Sequence, residues 1–507
     1  MAETHRWLIS VATWLAFGTS SAAFAAPSAL APEDVAWLNR ITYSINTATM
    51  IEYRKLGRHR FLERQLDGAG TLPGSVQQQI AAMEISQHPG AELLSDVVAE
   101  QKRINTLPDG DAKEAARKTL NEHGNQLLNE AIRRELLRAL YSPAQLREQL
   151  VWFWLNQFSV HQGKANGRWL VADYAEQAIR PNALGHFGDL VLATMTHPAM
   201  LQYLDNAQNA AGHINENYAR ELLELHTLGV GSGYTQQDVQ ELARILTGIG
   251  INVAPDKPKL KKEWEPLYRR TGAFEFNPAR HDFGDKTLLG QPIVGSGFDE
   301  AERAVALIVS QPACAQFVSK RLAMWFVSDD PPASLVNRMA SVFSRTHGDM
   351  RAVLETMLTS KELTKALGTK FRDPMQYVIA SVRLAYDDKV IVNAKPIINW
   401  LNALGEAPFG RATPDGYPLV SSAWTSSGQM SRRFEIARAI GSGNAGLFQP
   451  DDGSAAQTTG FPQLATRLFY DEIEPRLAAD TCAALDHAAS QGEWNTYLLA
   501  SPDLNYR

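Results

Sequence analysis

Residues 215–248, NENYARELLELHTLGVGSGYTQQDVQELARILTG, carry the strongest local signals in this chain. They read as two helices joined by a glycine turn. Asn215 is the expected N-cap of the first and Gly229 its stop. At about 100° per residue, Tyr218, Ala219, Leu222, Leu223 and Leu225 share one face. Glu216, Asn217, Arg220, Glu221, Glu224 and Thr227 share the other. Glu216–Arg220–Glu224 is an i, i+4, i+8 ladder of alternating sign, beside a second polar row, Asn217–Glu221–Glu224. Such a face is either solvated or a carboxylate-rich wall held by a buried Arg220. His226 falls within the apolar stripe, where a satisfied core histidine is the expected reading, with a buried partner for its ring nitrogens. The second helix opens on Thr235-x-x-Asp238, a capping-box pattern, and stops at Gly248. Gly229, Gly231 and Gly233 form the turn.

Two joined helices invite a nucleic-acid reading, and composition argues against it. The 507 residues carry a net charge of −6, and Arg244 is the one cation on the second helix. Apolar content of 45% and charged content of 21% suit an ordinary globular protein, with length enough for a large helical body. The start reads as a secretory signal peptide over residues 1–25. Arg6 gives a weak positive region, Trp7 to Phe17 is apolar, and Ala23-Phe24-Ala25 is the expected cleavage site. No later stretch is apolar enough to predict a transmembrane helix. Cys314 and Cys482 are the only cysteines, and two separate thiols are expected rather than a disulfide.

Helical periodicity dominates from residue 32 to about 250 and returns over Asp299 to Leu367 and Pro374 to Tyr386. No alternating run is long enough to predict a sheet, though short strands fit near Lys286 to Pro292. Residues 253–275 hold three prolines and a cluster of cations, which predicts a surface insertion. Residues 405–460 are rich in Gly, Pro, Ser and Thr, with TPDGYP at 413–418 marking a turn and a short helix at Ser431 to Ile440. The fold class is therefore all-α: one large multi-helix body over 26–507 with a loop-rich C-terminal third.

Other motifs are weaker. His281-Asp282 lies beside Asp285 and Lys286, and an adjacent His-Asp pair can ligate metal only with partners from other elements. Trp152, Trp154, Asn156 and His161 form an aromatic–polar cluster whose aromatics are expected in the core. Phosphate loops, nucleophile elbows, zinc helices and dinucleotide fingerprints are absent.

Taken together, WFWLNQF at 152–158, IRPNALG at 179–185, HPAMLQYLDN at 197–206, the 215–230 helix, YTQQDV at 234–239, HDFGDK at 281–286 and LLASPDLNYR at the end resemble a bacterial exported family, domain of unknown function 1800. The resemblance implies an exported, mostly helical protein whose genes neighbour those of a second exported family, domain of unknown function 1501, a candidate partner. It supplies no activity. Two positions depart from the family pattern: Gln157 stands where histidine is usual, and Ile249 where tryptophan is usual. His161 is a candidate substitute for the missing histidine.

Two functional classes emerge. One is a cell-envelope hydrolase of an extracellular polymer. Its catalytic candidates are Glu221, Glu224, His281 and Asp282, and its substrate-binding candidates are Arg220, Glu216, Asn217 and Asp205. Glu221 and Glu224, at i and i+3, also suit a shared divalent cation. The other is a binding or assembly protein working with an exported partner.

Overall fold

The structure, a computed structural model, describes residues 29–450 and 461–507. The expected leader and its Ala25 site lie outside the described residues, as does 451–460 of the loop-rich segment. Helices make up most of the described chain, so the all-α class holds. A contiguous set of buried side chains runs through it, with Trp37, Trp154, Tyr218, Tyr377, Phe153 and Phe158 among the largest. Among the described residues no helix is long and apolar enough to cross a membrane.

The helix Gln145–Gln157 runs through the middle of this body, and every residue in it except Arg147 is buried. Its WFWL segment accounts for that, because aromatic and aliphatic side chains cover the whole circumference. Trp154 Nε1 donates to the Ala183 carbonyl at 3.0 Å, so even its polar atom is satisfied inside.

Arginines fasten the helix ends around this centre. A helix leaves its last carbonyls unpaired. Arg40 donates to the Phe326 and Val327 carbonyls where the helix Pro312–Phe326 stops, at 2.5 and 2.9 Å. Arg507 takes the Trp325 carbonyl at 2.9 Å. Arg383 reaches the Leu140 carbonyl at the end of the helix Asp111–Tyr141. Guanidinium groups lose less than ammonium groups on such burial and offer several donors in a fixed plane.

The expectation of no sheet needs correction. Ile249–Ile251 (β1), Arg269–Thr271 (β2) and Phe274–Phe276 (β3) form a three-stranded antiparallel sheet in the order β1-β3-β2. Lys286–Leu288 (β4) and Gln291–Ile293 (β5) are the short strands expected there, and they pair as an antiparallel hairpin. Strands of three residues are too short to show a period of two, which is why the sequence hides them. The expected insertion at 253–275 therefore divides: its first part is mostly exposed, while its end is the central strand β3, fully buried. Ile249 is buried in β1, and its carbonyl accepts from Asn206 at 3.0 Å. Cys314 and Cys482 are free thiols.

Candidate functional site

The 215–248 segment folds as two helices with one change of register. The first begins at Asn217, not after an Asn215 cap. Asn215 instead accepts the Asn217 N–H at 3.0 Å, a local turn before the helix. After Asn217–Glu221 the backbone widens into a π-turn, Leu222–Thr227. Gly229 comes next but one, at φ 90°, and a Cβ there would meet the Phe317 ring at 2.8 Å. The second helix, Gln236–Ile245, carries the full Thr235/Asp238 capping box.

The π-turn moves Leu225 away from the predicted apolar stripe, to a half-buried position. Its carbonyl accepts from Gln157 Nε2 at 2.6 Å, and Gln157 Oε1 accepts from Arg321 Nε at 2.8 Å. Gln157 thus bridges the helix end, the π-turn and the helix Pro312–Phe326. Turns of this kind recur at functional sites because they free backbone groups. His161 makes no side-chain hydrogen bond among the described residues and does not take up this role. Burial lowers Arg321 to about 10, partly offset by Asp415.

His226 lies in the core as expected, 5.1 Å from the Phe158 ring. The expected partner is missing: neither ring nitrogen has one among the described residues. Burial, with the nearby Arg321 charge, lowers its pKa to about 3, so the ring is neutral.

The loop after Leu404 folds onto the end of the Gln145–Gln157 helix. Asn156 pairs with Tyr417 like a neighbouring strand: Nδ2 donates to the Tyr417 carbonyl at 3.0 Å, and Oδ1 accepts its N–H at 2.5 Å. Gly416 makes the close approach possible. It has φ 72°, and a Cβ there would lie 2.2 Å from the Asn156 carbonyl oxygen. This loop presents Asp415, which Arg411 grips at 2.9 and 3.0 Å and Thr413 at 2.5 Å.

The Asp415 charge adds the smallest of several influences on Glu221, and both carboxylates act on Tyr203. Burial and the like charge of Glu224 raise the Glu221 carboxyl. Burial also raises Asp415, but Arg411 and Thr413 outweigh it and hold it low. Tyr203 donates to the Ala412 carbonyl at 3.0 Å and is pushed up to about 12 by burial and the two carboxylates. Tyr234 is likewise raised to about 12, by burial and by a hydrogen bond to Glu224.

The structure separates the residues singled out from sequence. Glu216, Arg220 and Glu224 do form the ladder, at 3.0 and 3.9 Å. Arg220 is 37% exposed, so the buried Arg220 network is corrected to a part-exposed one that also includes Gln236. Asn217 donates to the Leu204 carbonyl at 3.2 Å, and Asp205 pairs with Lys164 at 3.0 Å. Asp205 and Asn217 thus lie beside the start of the Glu221 helix.

His281 and Asp282 belong to a different network. His281 Nδ1 faces the Thr247 carbonyl at 2.8 Å and Nε2 faces Glu300 at 2.9 Å. Lys286 donates to Glu300 at 2.5 Å. Asp282 pairs with Arg244 at 2.8 Å, which keeps its carboxyl low. No hydrogen bond or ion pair between described residues joins this network to Glu221. Nor does any group of three or more His, Cys, Asp or Glu among the described residues stand ready to hold a metal ion.

Sequence reading passed over Asp415, Tyr203 and Arg321. Asp415 was visible only as part of a turn, and Tyr203 as part of HPAMLQYL. Arg321 is an ordinary helical arginine in sequence. No curated protein and no solved structure matches the chain. The family described as Protein of unknown function (DUF1800) matches residues 36–506, nearly the whole length, and the chain belongs to that family.

Proposed function

We propose that this chain is an exported hydrolase of an envelope or extracellular polymer, with Glu221 as proton donor and Asp415 as its ionised counterpart. The observation that carries the reading is that two carboxyl groups, one on a helix and one on a separate loop, both act on Tyr203 while their surroundings push them in opposite directions. Opposed carboxyl groups of this kind divide the acid and base roles in glycoside cleavage. Two carboxylates on one helix, Glu221 and Glu224, serve that chemistry poorly, whereas Asp415 supplies the second group from another element.

Glu221 would protonate the leaving oxygen, and Asp415 would take a proton from the attacking water. Burial and the Glu224 charge raise the Glu221 carboxyl, as the donor role requires, and both carboxylates act on Tyr203. The test is reducing-end release from a panel of peptidoglycan, β-glucan, chitin and uronic-acid polymers. Glu221→Gln and Asp415→Asn should each reduce turnover about 100-fold or more. Turnover that survives both substitutions, or a folded parent protein that cleaves none of the polymers, would remove the reading.

One observation favours the assembly reading. A groove of about 790 Å³ lies along the helices Ser427–Gly441 and Gln491–Ala500, with Phe434 and Phe461 46% and 43% exposed. Exposed aromatics beside a groove suit a protein partner, for which an exported protein of the domain of unknown function 1501 family is the candidate. Co-purification lost on Phe434→Ser would support that reading.

A further inference from the structure

A second cavity, of about 310 Å³, lies between the helix Pro32–Ile41, Leu384 in the last turn of the helix Pro374–Tyr386 and the segment 498–507. It shares no lining residue with the Glu221 site. Three arginines, Arg372, Arg476 and Arg507, are among its lining residues. The carboxylate side chain in the lining, Asp503, is already engaged by Thr481 at 2.6 Å and by the Ala478 N–H at 3.3 Å. Arg372 and Arg507 are 2% and 3% exposed.

Their donors are incompletely used. Arg372 gives one N–H to the Tyr43 carbonyl at 2.7 Å, and its Nε has no partner. Arg507 commits its two terminal nitrogens to Gln149 and Trp325, and its Nε also has no partner. Arg476 makes no hydrogen bond or ion pair among the described residues. Burial and the neighbouring Arg507 lower Arg372 to about 9, so the group stays charged at neutral pH.

The two Nε atoms lie behind the cavity wall, and what the cavity offers a ligand is the positive charge gathered by three arginines in its lining, which an oxyanion complements. The countercharge behind them, Asp373, does not line the cavity. The remaining wall is partly apolar, with Ile45, Leu384 and Leu498. A wall of that kind takes the body of a ligand whose head meets the arginines.

The geometry points to a binding site for a small organic anion, a carboxylate or phosphate monoester on an apolar body, held by Arg372, Arg476 and Arg507. The two head groups share one chemistry, and the arms of the experiment separate them.

Calorimetric titration of the full chain would use benzoate, phenyl phosphate and, as the uncharged control, benzyl alcohol. Two variants test the site. Asn39→Asp places a negative charge in the wall yet keeps the Oδ1 that accepts the Ile45 N–H at 3.0 Å. Arg476→Gln removes a guanidinium that makes no hydrogen bond among the described residues and has the Glu472 charge as its electrostatic neighbour. Both should melt like the parent protein. Saturable binding of benzoate, of phenyl phosphate or of both is expected, with none for benzyl alcohol. Arg476→Gln should weaken it at least about tenfold, and Asn39→Asp should abolish it. Whichever anion binds identifies the head group. The inference falls if neither anion binds more tightly than about 1 mM, if benzyl alcohol binds equally well, or if both variants bind like the parent.

Discussion

His281 Nε2 lies 2.9 Å from Glu300 Oε1, and neither side chain has any exposed surface. Glu300 also accepts from Lys286 and from the Ser296 and Gly297 N–H groups at 2.6 and 2.9 Å. The histidine of the HD pair is therefore part of what holds β4 against the helix Asp299–Val309, not a shuttle beside Glu221.

That arrangement predicts a stability effect. Glu300→Gln leaves Lys286 buried without its carboxylate and should cost about 3–5 kcal/mol in urea unfolding. The pH dependence has a definite sign. Burial raises the Glu300 carboxyl, but His281 and Lys286 outweigh it and lower it from 4.5 to about 2. Its contribution is present above the unfolded value and is lost as pH falls from about 4.5 toward about 2. A flat parent stability across that window, or a Glu300→Gln curve parallel to it, would count against this account.

The charged ladder should behave differently. Arg220 is part-exposed, and its contact with Glu224 is long at 3.9 Å. Arg220→Met should change stability by less than about 1 kcal/mol, which thermal melts would show. A loss comparable to that of Glu300→Gln would mean the face is buried after all.

The Gln157 bridge predicts a graded series. Gln157→Leu removes both the donor to Leu225 and the acceptor for Arg321, and should cost about 2–3 kcal/mol. Gln157→His keeps the capacity for one of the two bonds and should lie between. Equal stabilities for all three proteins by chemical denaturation would show that the bridge contributes nothing.

If Glu221 is the acid, activity should fall on the alkaline side as it loses its proton. Glu224→Gln removes the like charge that helps to raise Glu221. The alkaline limb should then move to lower pH, while the acid limb, set by Asp415, stays in place. A limb that stays fixed in the pH profile of kcat/KM would assign it to another group.

Gly416→Ala should unseat the 411–417 loop, because the added methyl meets the Asn156 carbonyl. Activity should drop more than about tenfold, and limited proteolysis should cut near Arg411 sooner. A change in global stability without faster cleavage there would place the damage elsewhere.

The legibility of this chain tracked the range of its interactions. Thr235 and Asp238 announce a helix start through bonds made within four residues, and the structure has both. Gly229 marks a stop for equally local reasons. The helix Gly90–Thr106 has no capping side chain, so its boundaries leave little trace in sequence. The π-turn at Leu222–Thr227 gives its Leu225 carbonyl to Gln157, 68 positions away in the chain, and a wheel at a fixed angle cannot register it. Asp415 sits on a loop seated by the Asn156 amide, 261 positions away in the chain from Tyr417. The charged face of the helix could therefore be drawn from sequence, and the loop that carries Asp415 could not.

The π-turn also acts as a ruler. It fits one more residue into the interval between Glu221 and the Gly229 slot against Phe317 than a regular helix would. Removing a single residue from 222–227 would give back an ordinary helix and leave the downstream residues in place, whereas removing a second would rotate them by about 100°. The first deletion should close the carbonyl now offered to Gln157 back into the helix, and only the second should carry Gly229 off the Phe317 ring. One deletion in this stretch should consequently cost the bond to Gln157 and little of the packing beyond it.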